Sequence, residues 1–332
     1  MKKKFITFVD YAYQIIDHAK SRVKLGEASP TLPRDYEQRL KAYCIPFFAK
    51  TPLHAVDHPK LRDFKTWLAI DRGLKGATVR TVMSFVSKVL SEAAKDGLIR
   101  TTPSIPRPKQ EDCPRPAFTR TEYQHLLATL KLVEEGKLKV AFKGHAVDRE
   151  LRDMVTFAVN AFLRPGDLFQ VRNRHVEVVD EGEGGRRFLR MNLPKSKAHD
   201  GPTVSMKAAV DIYKRVLADH KKKGLGGPDD FVFLPHMANR AYAKEVTSRQ
   251  FISVLTAAKL RKTASGEARS LYSLRHYAIT ARLVNADGLD AVTLAKNCRT
   301  SPEMIHRFYA SSLRPEMNLD KIQSFKRESR HA

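Results

Sequence analysis

Cysteine is nearly missing from this chain. The three thiols, Cys44, Cys113 and Cys298, are odd in number and far apart. Neither a disulfide framework nor a thiolate metal site is expected from them, and they fit a reducing cytosol. Long apolar runs are absent as well; none approaches the ~18–20 residues that a membrane helix needs. The basic start, Met1-Lys-Lys-Lys, leads into a short apolar stretch that Asp10 interrupts, with no small-residue cleavage site behind it. A secretory signal is therefore not expected. Grouped carboxylates are lacking too: the one acidic cluster, Asp180-Glu181-Gly182-Glu183, has the composition of a loop. Neither a metal nor an organic cofactor is expected. Internal repeats and low-complexity tracts do not occur.

The scarcity that decides the partner class is that of acid. Thirty-six Asp and Glu face 60 Lys and Arg, giving a net charge of +24 and a pI near 10.0. The excess is spread over most of the chain, which favours folded domains with basic faces. A long polyanion, double-stranded DNA above all, is the natural partner. A cationic factor of another kind, such as one associated with ribosomes, has the same charge.

What is present points to two domains, as 332 residues allow. Five prolines fall within residues 101–116. Proline removes N–H donors and restrains its neighbour, so an extended linker is predicted. The expected organisation is a helical domain over 1–105, a linker over 106–116 and a second domain over 117–332. In the first, helices are predicted around 5–25, 34–48, 58–72 and 78–96. Over 78–96, Val79, Val82, Val86, Val89 and Ala93 share one face, Arg80, Ser84, Lys88, Ser91 and Lys95 line another, and Gly97 supplies a stop. Arg80, Ser84, Lys88 and Lys95 are the candidate DNA-binding stripe.

The second domain opens on a capping-box pattern, Thr119 with Glu122. Leu151, Met154, Val155, Ala158 and Phe162 form a buried helix face. Leu189, Met191 and Leu193 alternate with Arg190 and Asn192 as in a strand. Asp200-Gly201-Pro202 then reads as a turn and 203–206 as the returning strand. From about Met206 on the chain reads as mostly helical. The predicted class is mainly α with a small β-sheet.

Cutting a phosphodiester requires a nucleophile, positive charge on the non-bridging oxygens and a proton for the leaving 5′ oxygen. Tyrosine can attack and hold the phosphate as an ester. Arginine donates bidentately and keeps its charge, and lysine can act as general acid. Arg164, in Phe162-Leu163-Arg164-Pro165-Gly166-Asp167-Leu168, Arg275, in Tyr272-Ser273-Leu274-Arg275-His276, and Tyr309, 34 residues after Arg275, supply this toolkit.

These stretches resemble the tyrosine recombinases, in their phage-integrase branch. The likeness runs from about Phe5 to Tyr309, is tightest over 271–309 and is good over 78–103. It implies a helical core-binding domain followed by a tyrosine-recombinase catalytic domain. By resemblance Arg164, followed by Asp167 and Leu168, is the first phosphate-binding arginine, with Asp167 in support. Lys197, after Ser196 in the hairpin, is the general acid, with Lys195 as second choice. Arg275, in Leu274-Arg275-His276 with Ala278 and Ala281 behind it, is the second arginine, and Tyr309 is the nucleophile. Three positions depart from the pattern. Tyr272 stands where the family has histidine, and Thr300, nine residues before Tyr309, replaces another, with Arg299 in place of the glycine before it. Both hydroxyls can donate to a phosphate oxygen. A phenol with a pKa of about 10 is nevertheless a poor base at neutral pH, and threonine cannot shuttle protons. His276, which the family uses to buttress the site, and His306 are candidates to compensate. Tyr272 and Tyr277 are the rival nucleophiles.

The resemblance implies a site-specific DNA recombinase or integrase of a mobile element or prophage, working through a 3′-phosphotyrosine without metal or ATP. It also implies a dimer to tetramer on a double-stranded recombination site, in the cytoplasm with the nucleoid. The departures at 272 and 300 keep open an impaired relative that binds DNA as a regulatory or architectural protein. A metal-dependent nuclease or transposase, a third reading, predicts clustered carboxylates and magnesium dependence.

Overall fold

Helical periodicity governs both parts of the molecule. The computed structural model describes residues 5–108, 116–142, 144–182, 185–194, 201–286, 289–309 and 323. The chain divides into two compact units, Met1–Cys113 and Pro114–Ala332.

The first unit is helical: α1 (Phe8–Lys24), α2 (Leu32–Arg39), α3 (Ile45–Phe48), α4 (His58–Ala69) and α5 (Gly76–Lys95). Side-chain caps set two of the starts, Thr7 accepting from the Asp10 N–H and Asp57 from that of Lys60. The sequence predicts one helix over 34–48, but the structure joins α2 to α3 through a π-helical stretch, Leu40–Cys44. The reason lies at Pro46, which has no N–H to give and whose ring crowds the carbonyl four residues back. The wider turn relieves that crowding, and the Ile45 N–H bonds the Leu40 carbonyl, five residues back.

Apolar side chains from all these helices meet in one core, where Phe8, Phe48, Phe64 and Phe85 are at most 1% exposed. Each such burial contributes about 2 kcal/mol. Val79, Val82, Val86, Val89 and Ala93 of α5 all point into this core. Gly97, at φ 72°, closes the helix, with the Leu98 N–H returning to the Ala93 carbonyl.

The second unit holds α6 (Arg120–Glu134), β1 (Ala141–Phe142), β2 (His145–Ala146), α7 (Arg149–Asn160), α8 (Pro165–Leu168), β3 (Val176–Asp180), β4 (Arg187–Met191) and β5 (Thr203–Val204). After these come α9 (Ala208–Lys221), α10 (Arg240–Ala257), α11 (Leu271–Asn285), α12 (Ala291–Asn297) and α13 (Pro302–Tyr309). The class is mainly α with small antiparallel sheets. Strands β3, β4 and β5 form one sheet in that order, with Val178 opposite Leu189 and Arg190 opposite Val204. Leu189 and Met191 face inward and are fully buried, whereas Arg190 points out and pairs with Glu177 at 3.0 Å. β3 carries mixed, mostly exposed residues, a pattern without clean alternation, and the sequence analysis does not anticipate it.

Helix α7 packs against α6, α9 and α11. It stops at Asn160, earlier than the predicted face suggests, and Phe162 turns left-handed at φ 56°. Arg164 therefore stands as N-cap of α8, not at the end of α7.

The predicted capping box opens α6, and its Glu122 also holds Arg269 through both carboxylate oxygens, at 2.8 and 2.9 Å. Arg269 is 4% exposed and donates further to the carbonyls of Ala117 and Leu260. Burial pushes the Glu122 carboxyl up, but the Thr119 N–H and the Arg269 guanidinium outweigh it and hold the group below its ordinary value. A carboxyl depressed in this way stabilises the fold above the unfolded carboxylate range, and that stability fades as pH falls through the folded value. Glu122→Gln strands a buried guanidinium and is expected to cost about 3 kcal/mol at neutral pH. Urea unfolding of wild type and variant checks this, and the gap should narrow as the solution is acidified.

A candidate phosphodiester-cleaving site

Ser270 caps α11 by accepting from the Tyr272 N–H, and one turn later the helix delivers Arg275 into the interior at 3% exposure. The guanidinium donates to two backbone carbonyls, those of Phe162 and Cys298. Both lie at tight corners. Phe162 is itself left-handed, and so is Arg299, next to Cys298, at φ 51°. A left-handed residue with a side chain costs roughly 1–2 kcal/mol. A hydrogen bond from a charged donor contributes about 1.5–3 kcal/mol. Two such bonds are enough to hold two such corners. Burial lowers the Arg275 pKa, and the charge of Arg164 adds to that. An arginine nonetheless stays charged at neutral pH.

Arg164, with its side chain 26% exposed, donates to the carbonyl of Arg299 and lies 3.8 Å from Asp167. Asp167 also accepts, through its carbonyl, the N–H groups of Gln170 and Val171, so it braces the turn that carries Arg164. Arg299 is 4% exposed and reaches across to the Pro194 carbonyl at 2.8 Å. Its position is the one where the integrase pattern has glycine, and its positive φ gives the physical reason for glycine there.

Tyr309 ends α13 and is 6% exposed. Burial raises its phenol well above the ordinary value, while the charges of Arg275 and Arg164 pull it down. Its ring packs 5.1 Å from that of His276, which in turn lies 5.2 Å from that of Tyr272. Three aromatic side chains, Tyr309, His276 and Tyr272, thus pack in series. Tyr277, on another face of α11, packs at 4.5 Å against Tyr123 of α6. Thr300 is half-buried on the loop between α12 and α13, its N–H bonded to the Ala295 carbonyl. His306 is exposed on α13. Lys195 and Lys197 lie outside the described residues.

Among the described residues no group of His, Cys, Asp or Glu is arranged to hold a metal ion. Two buried groups at this site are not among the candidates read from the sequence. One is Cys298, whose thiol burial pushes up to about 11 against the pull of Arg275 and Arg164. The other is Arg299 as a buried cation. The clue to Arg299 was its place in the motif, an arginine where the backbone favours glycine.

In the first unit, Arg80 and Ser84 are exposed on α5. With Ser87, Ser104 and Arg107 they line a cleft of about 560 Å³. The Ser84 hydroxyl donates to the Arg80 carbonyl. Lys88 and Lys95 both pair with Glu92, at 3.1 and 2.8 Å. The predicted stripe is thus divided between a polar cleft and a shared ion pair.

Residues 7–107 match the Phage integrase SAM-like domain. Among solved structures, a lambda integrase dimer bound to a COC′ core site matches with a TM-score of 0.64 and 16% identity, over 98% of this chain and 100% of that one. The Tn1549 transposon integrase in complex with transposon right end DNA matches with a TM-score of 0.66 and 15% identity, over 96% and 99%. A lambda integrase tetramer bound to a Holliday junction matches with a TM-score of 0.65 and 19% identity, over 94% and 80%. A comparison with curated protein sequences finds no match. Residues 7–107 thus match a phage integrase SAM-like domain, and the chain is similar in fold to the lambda and Tn1549 integrases.

Proposed function

We propose that this protein is a site-specific DNA recombinase of the integrase kind, breaking and rejoining DNA through a covalent 3′-phosphotyrosine. The observation that supports this reading is that Arg275 and Arg164 donate to consecutive carbonyls, those of Cys298 and Arg299, just before α13, while Tyr309 at the end of α13 packs on His276, the neighbour of Arg275.

In this reading the scissile phosphate takes the place beside the two guanidiniums. Arg164 and Arg275 donate to its non-bridging oxygens, where preorganised charge lowers the barrier most. The Tyr309 hydroxyl oxygen attacks phosphorus as the bond to the 5′ oxygen breaks. The phenol is protonated at neutral pH, since burial raises its pKa. Its proton must therefore leave during attack, and His276 is the titratable ring packed against it. Lys197, or Lys195, protonates the leaving 5′ oxygen. The 5′-hydroxyl of a partner strand then attacks the phosphotyrosine and frees Tyr309, so that one phosphodiester replaces another and no ATP is consumed. Tyr272 and Thr300 donate hydrogen bonds to the phosphate where histidines would. The Arg80 cleft of the first unit contacts backbone phosphates. Assembly as a dimer or tetramer on DNA is inferred from the integrases of like fold.

The departures at Tyr272 and Thr300 favour a second reading, a DNA-binding relative that regulates or organises without cleaving. One assay separates the two. Purified protein is mixed in EDTA with nicked duplexes drawn from the DNA flanking its own gene, and SDS-resistant adducts are resolved beside those of Tyr309→Phe. We expect a covalent band with wild type and none with the variant. Tight binding without any band supports the regulatory reading.

The two arginines should also part company in stability. Arg275→Ala removes the donor from two buried carbonyls and is expected to cost about 3 kcal/mol in urea unfolding. Arg164→Ala is expected to cost about 1 kcal/mol. Both should reduce the adduct at least ~100-fold.

A further inference from the structure

We propose that Arg299 is a positioning residue, which sets the angle between the two phosphate-binding arginines by clamping the dipeptide on which both rest. This inference rests on the recombinase reading. Consecutive carbonyls serve the two guanidiniums: that of Cys298 accepts from Arg275, and that of Arg299 accepts from Arg164. Consecutive carbonyls in an extended or helical chain follow a fixed pattern. The left-handed φ of 51° at Arg299 breaks that pattern locally and sets how the two carbonyls diverge. A glycine there would reach this conformation freely, but would also leave it freely. Arginine pays a steric penalty for it, and its own side chain supplies the compensating restraint. The side chain is 4% exposed and donates at 2.8 Å to the carbonyl of Pro194, beyond the end of β4. The corner is thereby tied to the β-sheet.

Arg299 acts through Arg164 and Arg275, by way of the carbonyls on which they rest. A small error in the placing of a charged donor is costly, since about 1 Å of misplacement can cost 100-fold in rate. Loss of the tether should therefore slow cleavage without weakening DNA binding, which depends on many phosphates.

The test uses full-length protein with Arg299→Gly and Arg299→Asn, both of which tolerate positive φ, so that neither threatens the fold. Single-turnover adduct formation is measured at saturating DNA on two nicked duplexes. One carries the natural scissile phosphate. The other carries a methylphosphonate there, in which methyl replaces a non-bridging oxygen and removes the charge the arginines neutralise. On the natural phosphate both variants should be slower than wild type by about 10- to 100-fold, with unchanged DNA affinity. On the methylphosphonate the defect should shrink to within about threefold, because there is less charge to stabilise. Equal defects on both substrates, or none on either, overturn the proposal. Wild type that binds both duplexes and cleaves neither overturns the recombinase reading itself, and this inference falls with it. Wild-type cleavage with unaffected variants sinks the inference alone.

Discussion

A single buried guanidinium organises the second unit. Arg275 binds the carbonyls of Phe162 and Cys298, and so pulls together the corner after α7, the body of α11 and the loop between α12 and α13. Burying a charge is costly unless hydrogen bonds surround it. The chain meets this with two backbone carbonyls, and among the described residues no carboxylate pairs with Arg275. That choice suits an anion site. A carboxylate beside Arg275 would neutralise the charge and repel a phosphate, whereas neutral carbonyls orient the guanidinium and leave its charge available. In the proposed reading, structural support and phosphate binding are the same interaction seen from two sides.

Arg240 shows the other use of the same chemistry. It too donates to carbonyls, those of Phe169, Phe233, Leu234 and Met237, though it is only half-buried, and its charge lies 4.0 Å from the Phe231 ring. Arg172 covers the same ring at 4.1 Å. No nucleophile belongs to that cluster as described, and it gathers a loop. What sets the Arg275 cluster apart is the company of Arg164, Tyr309 and the ring series through His276 to Tyr272.

Much of this was legible in the sequence. The apolar phases of α5 and α7, the Gly97 stop and the capping box at Thr119 are local signals, and each appears where its residues predict it. The spacing among Arg275, Thr300 and Tyr309 is also local, within one run of short helices. Three features were not legible, each for a physical reason. The π-helical stretch at Leu40–Cys44 arises because Pro46 falls within a helix whose apolar pattern does not break. β3 lacks alternation because it is mostly exposed. The burial of Arg299 depends on a carbonyl over a hundred residues away in sequence, and no local rule reports such a contact. The hairpin lysines Lys195 and Lys197 lie outside the described residues, so their role rests on resemblance.

The pairing of Lys88 and Lys95 with Glu92 changes what the face of α5 offers a polyanion. Two cations and one anion leave a net charge of +1, not the +2 that counting lysines suggests. Glu92 is a counter-ion fixed to the helix by covalent bonds, so it cannot diffuse away when a phosphate arrives. Each lysine that turns toward a phosphate must exchange one anion for another while the first stays nearby and repels the newcomer. If DNA docks on α5 as proposed, this stretch would be a damped contact, and the attraction would fall more heavily on Arg80 and on the cleft it shares with Arg107.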